Sequence, residues 1–252
     1  MIKVLGKIFE VLELVVCESP NPMTPMEIAG KLKMNRPTCS RILKELSDAG
    51  YLVRISRQSG YAAGPRSFTF RNMVKYKTTL LEKAAPYVRD CAFQLGKSVL
   101  LCERNGMERY ILCHYNYSPL NIRLKQLSYH DLFETATGMV LAAYTSRDEQ
   151  EELFRTYRER GYLFFPELET PAAAQEVFEQ IKRERLFIRD KFRTLQWIAA
   201  VPVCRNGIVV AALGLSAPAA DALPGERSRM TAELKKTADL ISNELSTIET
   251  TG

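Results

Sequence analysis

The sequence predicts an α+β fold in two parts, and three observations carry this prediction. Residues 26–52 have the apolar spacing of two helices with a short turn between them, followed by a strand. From residue 98 onward, apolar runs of strand length flank two Asn-Gly pairs, which favour tight β-hairpins. Segments with helical spacing stand before, between and after these hairpins. Antiparallel hairpins with interspersed helices are typical of an α+β domain.

Length and composition bound the class of protein. The chain has 252 residues, of which 46% are hydrophobic and 25% charged, which suits a globular protein with one large or two ordinary cores. No apolar run is long enough to span a bilayer, and Lys3, Lys7 and Glu10 interrupt the apolar N-terminus. We therefore expect a cytoplasmic protein without a signal peptide. The six cysteines form no CxxC pair and only two histidines accompany them, so we expect neither a metal site nor a cofactor.

Positive charge is concentrated in the first third of the chain. Residues 1–78 contain 13 Lys and Arg against 6 Asp and Glu, whereas the remainder contains 22 against 23. No acidic residue occurs between Asp48 and Glu82. This asymmetry favours a polyanion as the partner of the N-terminal part, although a solvated basic face without a partner would have the same composition.

The second helix of the N-terminal pair has the features of a DNA-reading helix. Asn35 is a suitable N-cap, and Pro37 suits the first helical turn, where a missing N–H costs nothing. The apolar positions that face inward are Cys39, Ile42, Leu43 and Leu46. The opposite face is predicted to lie in the major groove, and it carries Arg36, Thr38, Ser40, Arg41 and Lys44.

A basic β-hairpin is predicted directly after this helix. Residues 51–65 read as two short strands around the turn Gln58-Ser59-Gly60. Arg54, Arg57 and Arg66 lie on the hairpin or just beyond it. A hairpin that follows a helix-turn-helix is a wing, and basic wings contact phosphate or the minor groove. We therefore assign these three arginines to DNA backbone contacts.

The remaining elements follow from apolar spacing and turn residues. A first helix at residues 2–17 is apolar on two sides and needs two partners, its own domain and a second protomer. Further helices are predicted at 80–96, 135–144, from 146 onward, 171–185 and 227–248. Strands are predicted at 98–104, 109–115, 121–127, 196–204 and 208–216.

The segment FETATGM, residues 133–139, is the best candidate for a small-molecule site. Small residues at a helix start leave backbone N–H groups open, and the helix dipole favours an anion there. The predicted binding residues come from this segment and a facing strand: Phe133, Thr135, Ala136, Thr137, Gly138, Leu195, Gln196, Trp197 and Ala199. The same small residues would also allow tight helix–sheet packing without a ligand, and that alternative stays open.

Several of these stretches resemble the isocitrate lyase regulator (IclR) family of bacterial transcription factors. In the first 90 residues the resemblance rests on MEIAGKLKMNRPTCSRILKELSDAGYL, YAAGPRSF and LLEKAAPYVRDC, and later, more loosely, on LFETATGMVLAAY and IAAVPVCRNGIVVAALGLSAP. It implies a winged helix-turn-helix at 1–66, a linker helix at 67–79 and a GAF-like α/β effector-binding domain at 80–252. It also implies a dimer or tetramer that binds double-stranded operator DNA and a small organic acid. Phe133 and Met139 stand where the family commonly has histidine and lysine, which leaves the effector's identity open.

The sequence thus predicts a ligand-responsive, DNA-binding transcription regulator, either repressor or activator, with no membrane partner. We expect no enzymatic activity, because GxSxG and glycine-rich phosphate loops are absent and no catalytic motif surrounds His114 or His130. One alternative is a DNA-binding redox sensor that uses Cys102, Cys113 and Cys204. Another is a GAF-like interaction module that does not bind DNA.

Overall fold

The computed structural model describes residues 3–56, 58–67, 78–118, 128–191 and 194–247. These residues divide into two compact units, one before and one after residue 78. Arg57, the predicted strand at 121–127 and most of the predicted linker helix at 67–79 lie outside the described residues. Within the described ranges, no helix combines the length and apolar character needed to cross a membrane.

In the described residues, the first unit contains three complete helices, a two-stranded hairpin and a further helical segment at 65–67. Its elements are α1 (Lys3–Glu18), α2 (Pro25–Lys31), α3 (Arg36–Asp48), β1 (Leu52–Ser56) and β2 (Gly60–Ala63). The predicted N-cap at Asn35 is confirmed, and α2 is capped as well. Thr24 and Glu27 form a reciprocal capping box at α2, and the Asn35 side chain accepts the Thr38 N–H at α3 over 2.8 Å. The core joins the inward faces of all three helices to Leu52.

The hairpin is fixed to the segment that precedes α2. Met23 and Tyr61 exchange two backbone hydrogen bonds of 2.8 Å, which makes Met23 a one-residue third strand. Gly60 has a φ of +89°, and a Cβ added to it would lie 2.0 Å from the Met23 carbonyl oxygen. Glycine is required here both by backbone conformation and by the close approach of another main chain. The sequence indicated only a turn at this position.

The second unit is built on one six-stranded antiparallel sheet. Its helices are α4 (Thr78–Leu95), α5 (Ala136–Ala143), α6 (Arg147–Glu159), α7 (Pro171–Glu184) and α8 (Pro224–Ser246). Its strands are β3 (Ser98–Asn105), β4 (Glu108–Asn116), β5 (Ser128–Tyr129), β6 (Phe187–Lys191), β7 (Gln196–Arg205) and β8 (Ile208–Pro218). The spatial order is β5-β4-β3-β8-β7-β6. Sheet neighbours β3 and β8 are far apart in sequence.

Each face of this sheet is covered by its own hydrophobic core. The core on one face joins the sheet to α4 and α8, and the core on the other joins it to α5, α6 and α7. Both predicted Asn-Gly hairpins are confirmed, and Asn206 and Gly207 have the positive φ values, 51° and 78°, of a tight turn. Two strands were not predicted from the sequence. β5 is only two residues long, and β6, with the sequence FIRDK, has too few apolar residues to alternate.

Candidate functional site

The exposed face of α3 carries cations that have no protein partner. Arg36, Arg41 and Lys44 are exposed, and no ion pair or hydrogen bond engages their charged groups within the described part of the chain. Ser40 lies exposed among them. Thr38 is half-buried and, together with Arg41, Ile8 and Ile42, lines a groove of about 590 Å³ between α3 and α1. The face available to a partner is therefore narrower than the sequence suggested.

The predicted phosphate contacts on the wing separate into two kinds. Arg54 on β1 is exposed and, among the described residues, unpaired. Arg66 instead donates from Nη1 to the Ala49 carbonyl oxygen at 3.1 Å, and its guanidinium lies 5.0 Å from the centre of the Tyr51 ring. Arg66 thus caps the C-terminal end of α3, where backbone carbonyl groups lack hydrogen-bond partners within the helix. A structural role fits this geometry better than a phosphate contact.

In the second unit, a cavity of about 170 Å³ lies between the start of α5 and the sheet. Its lining comes from α5 and its cap, from β4, and from β3, β6, β7 and β8: Ser98, Leu100, Arg109, Thr135, Ala136, Thr137, Lys191, Gln196, Ile198, Ala199, Gly214, Leu215 and Ser216. The lining contains two cations and no acid. Of the predicted ligand residues, Thr135, Ala136, Thr137, Gln196 and Ala199 lie in this wall.

The other four predicted ligand residues do not line the cavity. Phe133 is fully buried in an aromatic cluster with Phe154, Tyr157, Phe164 and Phe178. These partners lie on α6, α7 and the connection between them. Phe133 therefore does not line the cavity, although it is close to the start of α5 in the sequence.

The remaining three have equally clear placements. Trp197 points into the core on the opposite sheet face, because it alternates with the cavity residues Gln196 and Ile198. Leu195 is 74% exposed. Gly138 packs against Leu132, whose Cα and carbonyl oxygen would lie 2.5 Å from a Cβ at that position. The small residues of FETATGM therefore provide tight packing as well as a cavity wall.

A buried ion pair stands at one side of the cavity. Arg109 donates from Nε and Nη2 to the two carboxylate oxygens of Asp131, at 2.7 and 2.5 Å, and from Nη1 to Cys102 Sγ at 3.0 Å. The Arg109 side chain is only 6% exposed. Asp131 also accepts, through its carbonyl oxygen, the hydroxyl of Thr135 at 3.0 Å, and that hydroxyl accepts the Gly138 N–H. A continuous hydrogen-bonded chain thus joins the cavity cation to the cap of α5.

Polar groups of the sheet complete the cavity wall. Ser98 and Ser216 are direct register partners on β3 and β8. Ser98 Oγ lies 2.8 Å from Nε2 of His114, and burial lowers the pKa of that imidazole, which is therefore neutral at pH 7. The Ser216 hydroxyl is buried and has no hydrogen-bond partner among the described residues. Sequence reasoning missed these residues, because the β3–β8 pairing that aligns them is nonlocal.

The three cysteines of the redox alternative are not brought together. Cys102 belongs to the core beneath α5, whereas Cys113 packs against the core on the opposite face of the sheet. Cys204 lies elsewhere, 3.9 Å from Nη2 of Arg185. Burial raises the pKa of Cys102 and of Cys204, which disfavours the reactive thiolate. This geometry argues against a disulfide switch formed by this trio.

Comparison with known proteins gives one weak sequence match. No family model matches the chain. An uncharacterized HTH-type transcriptional regulator of Haemophilus influenzae is 21% identical over 137 residues, which are 53% of this chain and 50% of that protein. The matched region thus spans about half the length of this curated relative.

Solved structures match nearly the whole chain. The IclR of Thermotoga maritima has a TM-score of 0.70 at 20% identity and covers 97% of this chain and 99% of its own. An IclR transcriptional regulator from Alicyclobacillus acidocaldarius has a TM-score of 0.72 at 15% identity, over 98% of this chain and all of its own. An IclR homolog from Microbacterium hydrocarbonoxydans complexed with 4-hydroxybenzoate has a TM-score of 0.68 at 17% identity, over 96% and 98%. The expected α+β fold is confirmed, and the chain has the fold of IclR transcriptional regulators.

Proposed function

We propose that the chain is a transcription regulator that binds double-stranded DNA through α3 and the wing. The observation that carries this proposal is the set of exposed cations on α3 and the wing that have no partner among the described residues: Arg36, Arg41, Lys44 and Arg54. Lys and Arg concentrated on a helix-turn-helix and its wing are the electrostatic footprint of a polyanion binder. The likeness to IclR regulators over nearly the whole chain supports the same assignment.

The direct test is fluorescence anisotropy with a labelled duplex. We would titrate the full chain into DNA from the intergenic region upstream of its own gene, and into a scrambled duplex, over a salt series. Selective binding with affinity that falls steeply as salt rises is expected from a site that neutralises several phosphates. Binding that ignores both sequence and salt would contradict the proposal and favour an interaction module.

Replacing Arg54 with alanine is expected to weaken binding to selective and scrambled DNA alike. A phosphate contact carries no sequence information, so its loss lowers the salt slope by about 1 and leaves the preference unchanged. Arg229→Ala is the matched control, because that arginine lies on α8 and pairs with Glu226. A loss confined to selective DNA would show that Arg54 reads bases instead.

We further propose that the cavity binds a small organic acid as effector. Arg109 and Lys191 supply donors to the lining, although each already pairs with an acid outside it, Asp131 and Glu134, and α5 presents its N-terminus to the cavity. The cavity of about 170 Å³ is close to the roughly 150 Å³ that encloses a benzene ring, which suits a single-ring carboxylate. The 4-hydroxybenzoate complex of the Microbacterium protein supports this size and charge.

Lys191→Met is expected to weaken binding of 4-hydroxybenzoate several-fold, because the ammonium group beside the cavity is lost. Its present partner, Glu134, lies 3.7 Å away and would then remain as a nearby negative charge. Isothermal titration calorimetry of the full chain measures the binding. Lys182→Met, which removes a half-buried lysine on α7 that pairs with Glu179, is the control. If neither 4-hydroxybenzoate nor benzoate binds the wild type at millimolar concentration, this effector class is wrong.

We propose that α1 joins two copies of the chain. Val4, Leu5 and Phe9 are large apolar residues on one helix, and all three are exposed, Phe9 by 57%. Exposed apolar patches of this kind mark interaction surfaces. A symmetric pair of reading helices would also match a palindromic operator with half-sites about one helical turn apart, or a multiple of that.

Phe9→Glu is expected to convert the oligomer into a smaller species, because a carboxylate would be buried at the contact. Sedimentation velocity of the full chain measures the change. Ile208→Glu is the control, since Ile208 is 70% exposed at a hairpin end in the second unit. Equal sedimentation of the wild type and Phe9→Glu would contradict this use of α1.

A further inference from the structure

The centre of the exposed face of α3 is occupied by two cations. At 3.6 residues per turn, Arg41 and Lys44 lie about 60° apart around the helix axis. Ser40 and Pro37, both short and exposed, lie beside them and allow close approach of a partner. Neither cation has a partner in the described structure, so both are free to reach outward.

The same face contains no side chain suited to the bidentate contact that specifies adenine. Asparagine and glutamine recognise adenine by a paired donor and acceptor, whereas arginine and lysine recognise O6 and N7 of guanine. Residues 36–48 include no Asn or Gln. The nearest amide, Asn35, has its oxygen engaged by the Thr38 N–H at 2.8 Å. It therefore lacks the free acceptor that adenine recognition requires.

Acidic residues confine base reading to the first part of the helix. Glu45 and Asp48 are exposed in its final turns and would repel phosphate. Arg36 to Lys44 carry no acid, and helix-turn-helix proteins place the N-terminal residues of this helix at the bases. Arg41 and Lys44 thus lie at the C-terminal limit of the part that can enter the groove.

We propose that α3 reads guanine, with Arg41 and Lys44 each contacting one guanine in every operator half-site. This inference rests on the proposed DNA-binding function. Residues three apart on a helix have Cβ atoms about 5–6 Å apart, and successive base pairs rise by about 3.4 Å. The two guanines are therefore in adjacent base pairs or one pair apart, and α3 makes no bidentate contact to adenine.

The test begins with selection of binding sites by the full chain from a random duplex library. The wild type is expected to enrich a motif whose half-sites contain the two guanines. Arg41→Ala and Lys44→Ala should each lose preference at one of them, by about 5- to 150-fold against the wrong base. Arg41→Lys keeps the positive charge but loses the guanidinium, which can donate two hydrogen bonds to one base. Its preference for guanine should therefore be intermediate. Arg54→Ala should enrich the wild-type motif.

A second measurement needs no protein variant. Replacing each selected guanine with 7-deazaguanine removes the N7 acceptor and leaves Watson–Crick pairing intact. Wild-type affinity should fall at those two positions and nowhere else in the half-site.

The outcomes separate the two proposals. A motif without these guanines, or one that Arg41→Ala and 7-deazaguanine leave unchanged, would overturn guanine reading while DNA binding stands. Failure of the wild type to enrich any motif would overturn the proposed function and this inference together.

Discussion

Asp131→Ala is expected to lower the free energy of unfolding of the second unit by about 3–5 kcal/mol. The substitution leaves the Arg109 guanidinium buried without its carboxylate, and an uncompensated buried charge costs that much. Cys102, the other partner of this guanidinium, is a weak acceptor and cannot replace a carboxylate. Urea unfolding followed by Trp197 emission measures the loss, because the only tryptophan belongs to this unit.

Two further variants make this prediction specific to the buried charge. Asp239→Ala removes a carboxylate that is 67% exposed and 3.8 Å from Arg185, so it should cost less than about 1 kcal/mol. Adding Arg109→Met to Asp131→Ala should restore part of the stability, since an apolar side chain then replaces the unpaired charge. If the double variant is no more stable than Asp131→Ala alone, the buried charge is not the cause.

Gly138→Ala is expected to destabilise the second unit by at least 1–3 kcal/mol, roughly the cost of overpacking a well-filled core. The new Cβ would lie 2.5 Å from the Cα and the carbonyl oxygen of Leu132. These are backbone atoms of a fully buried residue, so no side-chain rotation relieves the contact. Better helix propensity of alanine offsets at most about 1 kcal/mol, so the steric term dominates.

Gly225→Ala is the matched control for this glycine. Gly225 also lies in the first turn of a helix, α8, but a Cβ there has no neighbour within 4 Å. We expect a gain of up to about 1 kcal/mol from the better helix former. Thermal unfolding followed by circular dichroism measures the stability change of each variant. Equal behaviour of the two would mean that α5 moves away from Leu132 at little cost.

Local features of the fold were predictable from local residues. Asn35, Thr24 and the Asn-Gly pairs act through hydrogen bonds or backbone angles within four residues of themselves, so their effect is visible in sequence. The inward face of α3 was likewise correct, because it follows from helical spacing alone. These features were sufficient for the helix-turn-helix and for both major hairpins.

The cavity was predictable only in part, because it depends on long-range pairing. Thr135 to Thr137 were found from the helix start, but Ser216 enters the wall through the β3–β8 pairing, which joins distant parts of the chain. Arg109 comes from β4, which lies beside β3 in the same sheet. Phe133 was misplaced since its aromatic neighbours come from later helices and the connection between them. The contact of Arg66 with the end of α3 could not be foreseen, because a free arginine and one that caps a helix look identical in sequence.

The two backbone hydrogen bonds between Met23 and Tyr61 also bear on how the first unit would bind a partner. The second strand of the hairpin is tied to the segment that leads into α2, and α2 packs on α3. The hairpin and α3 are thereby held at a constant separation. In the proposed DNA complex, little conformational entropy would be lost when both contact the duplex. The distance along the DNA between the contacts of α3 and those of the hairpin would then be fixed.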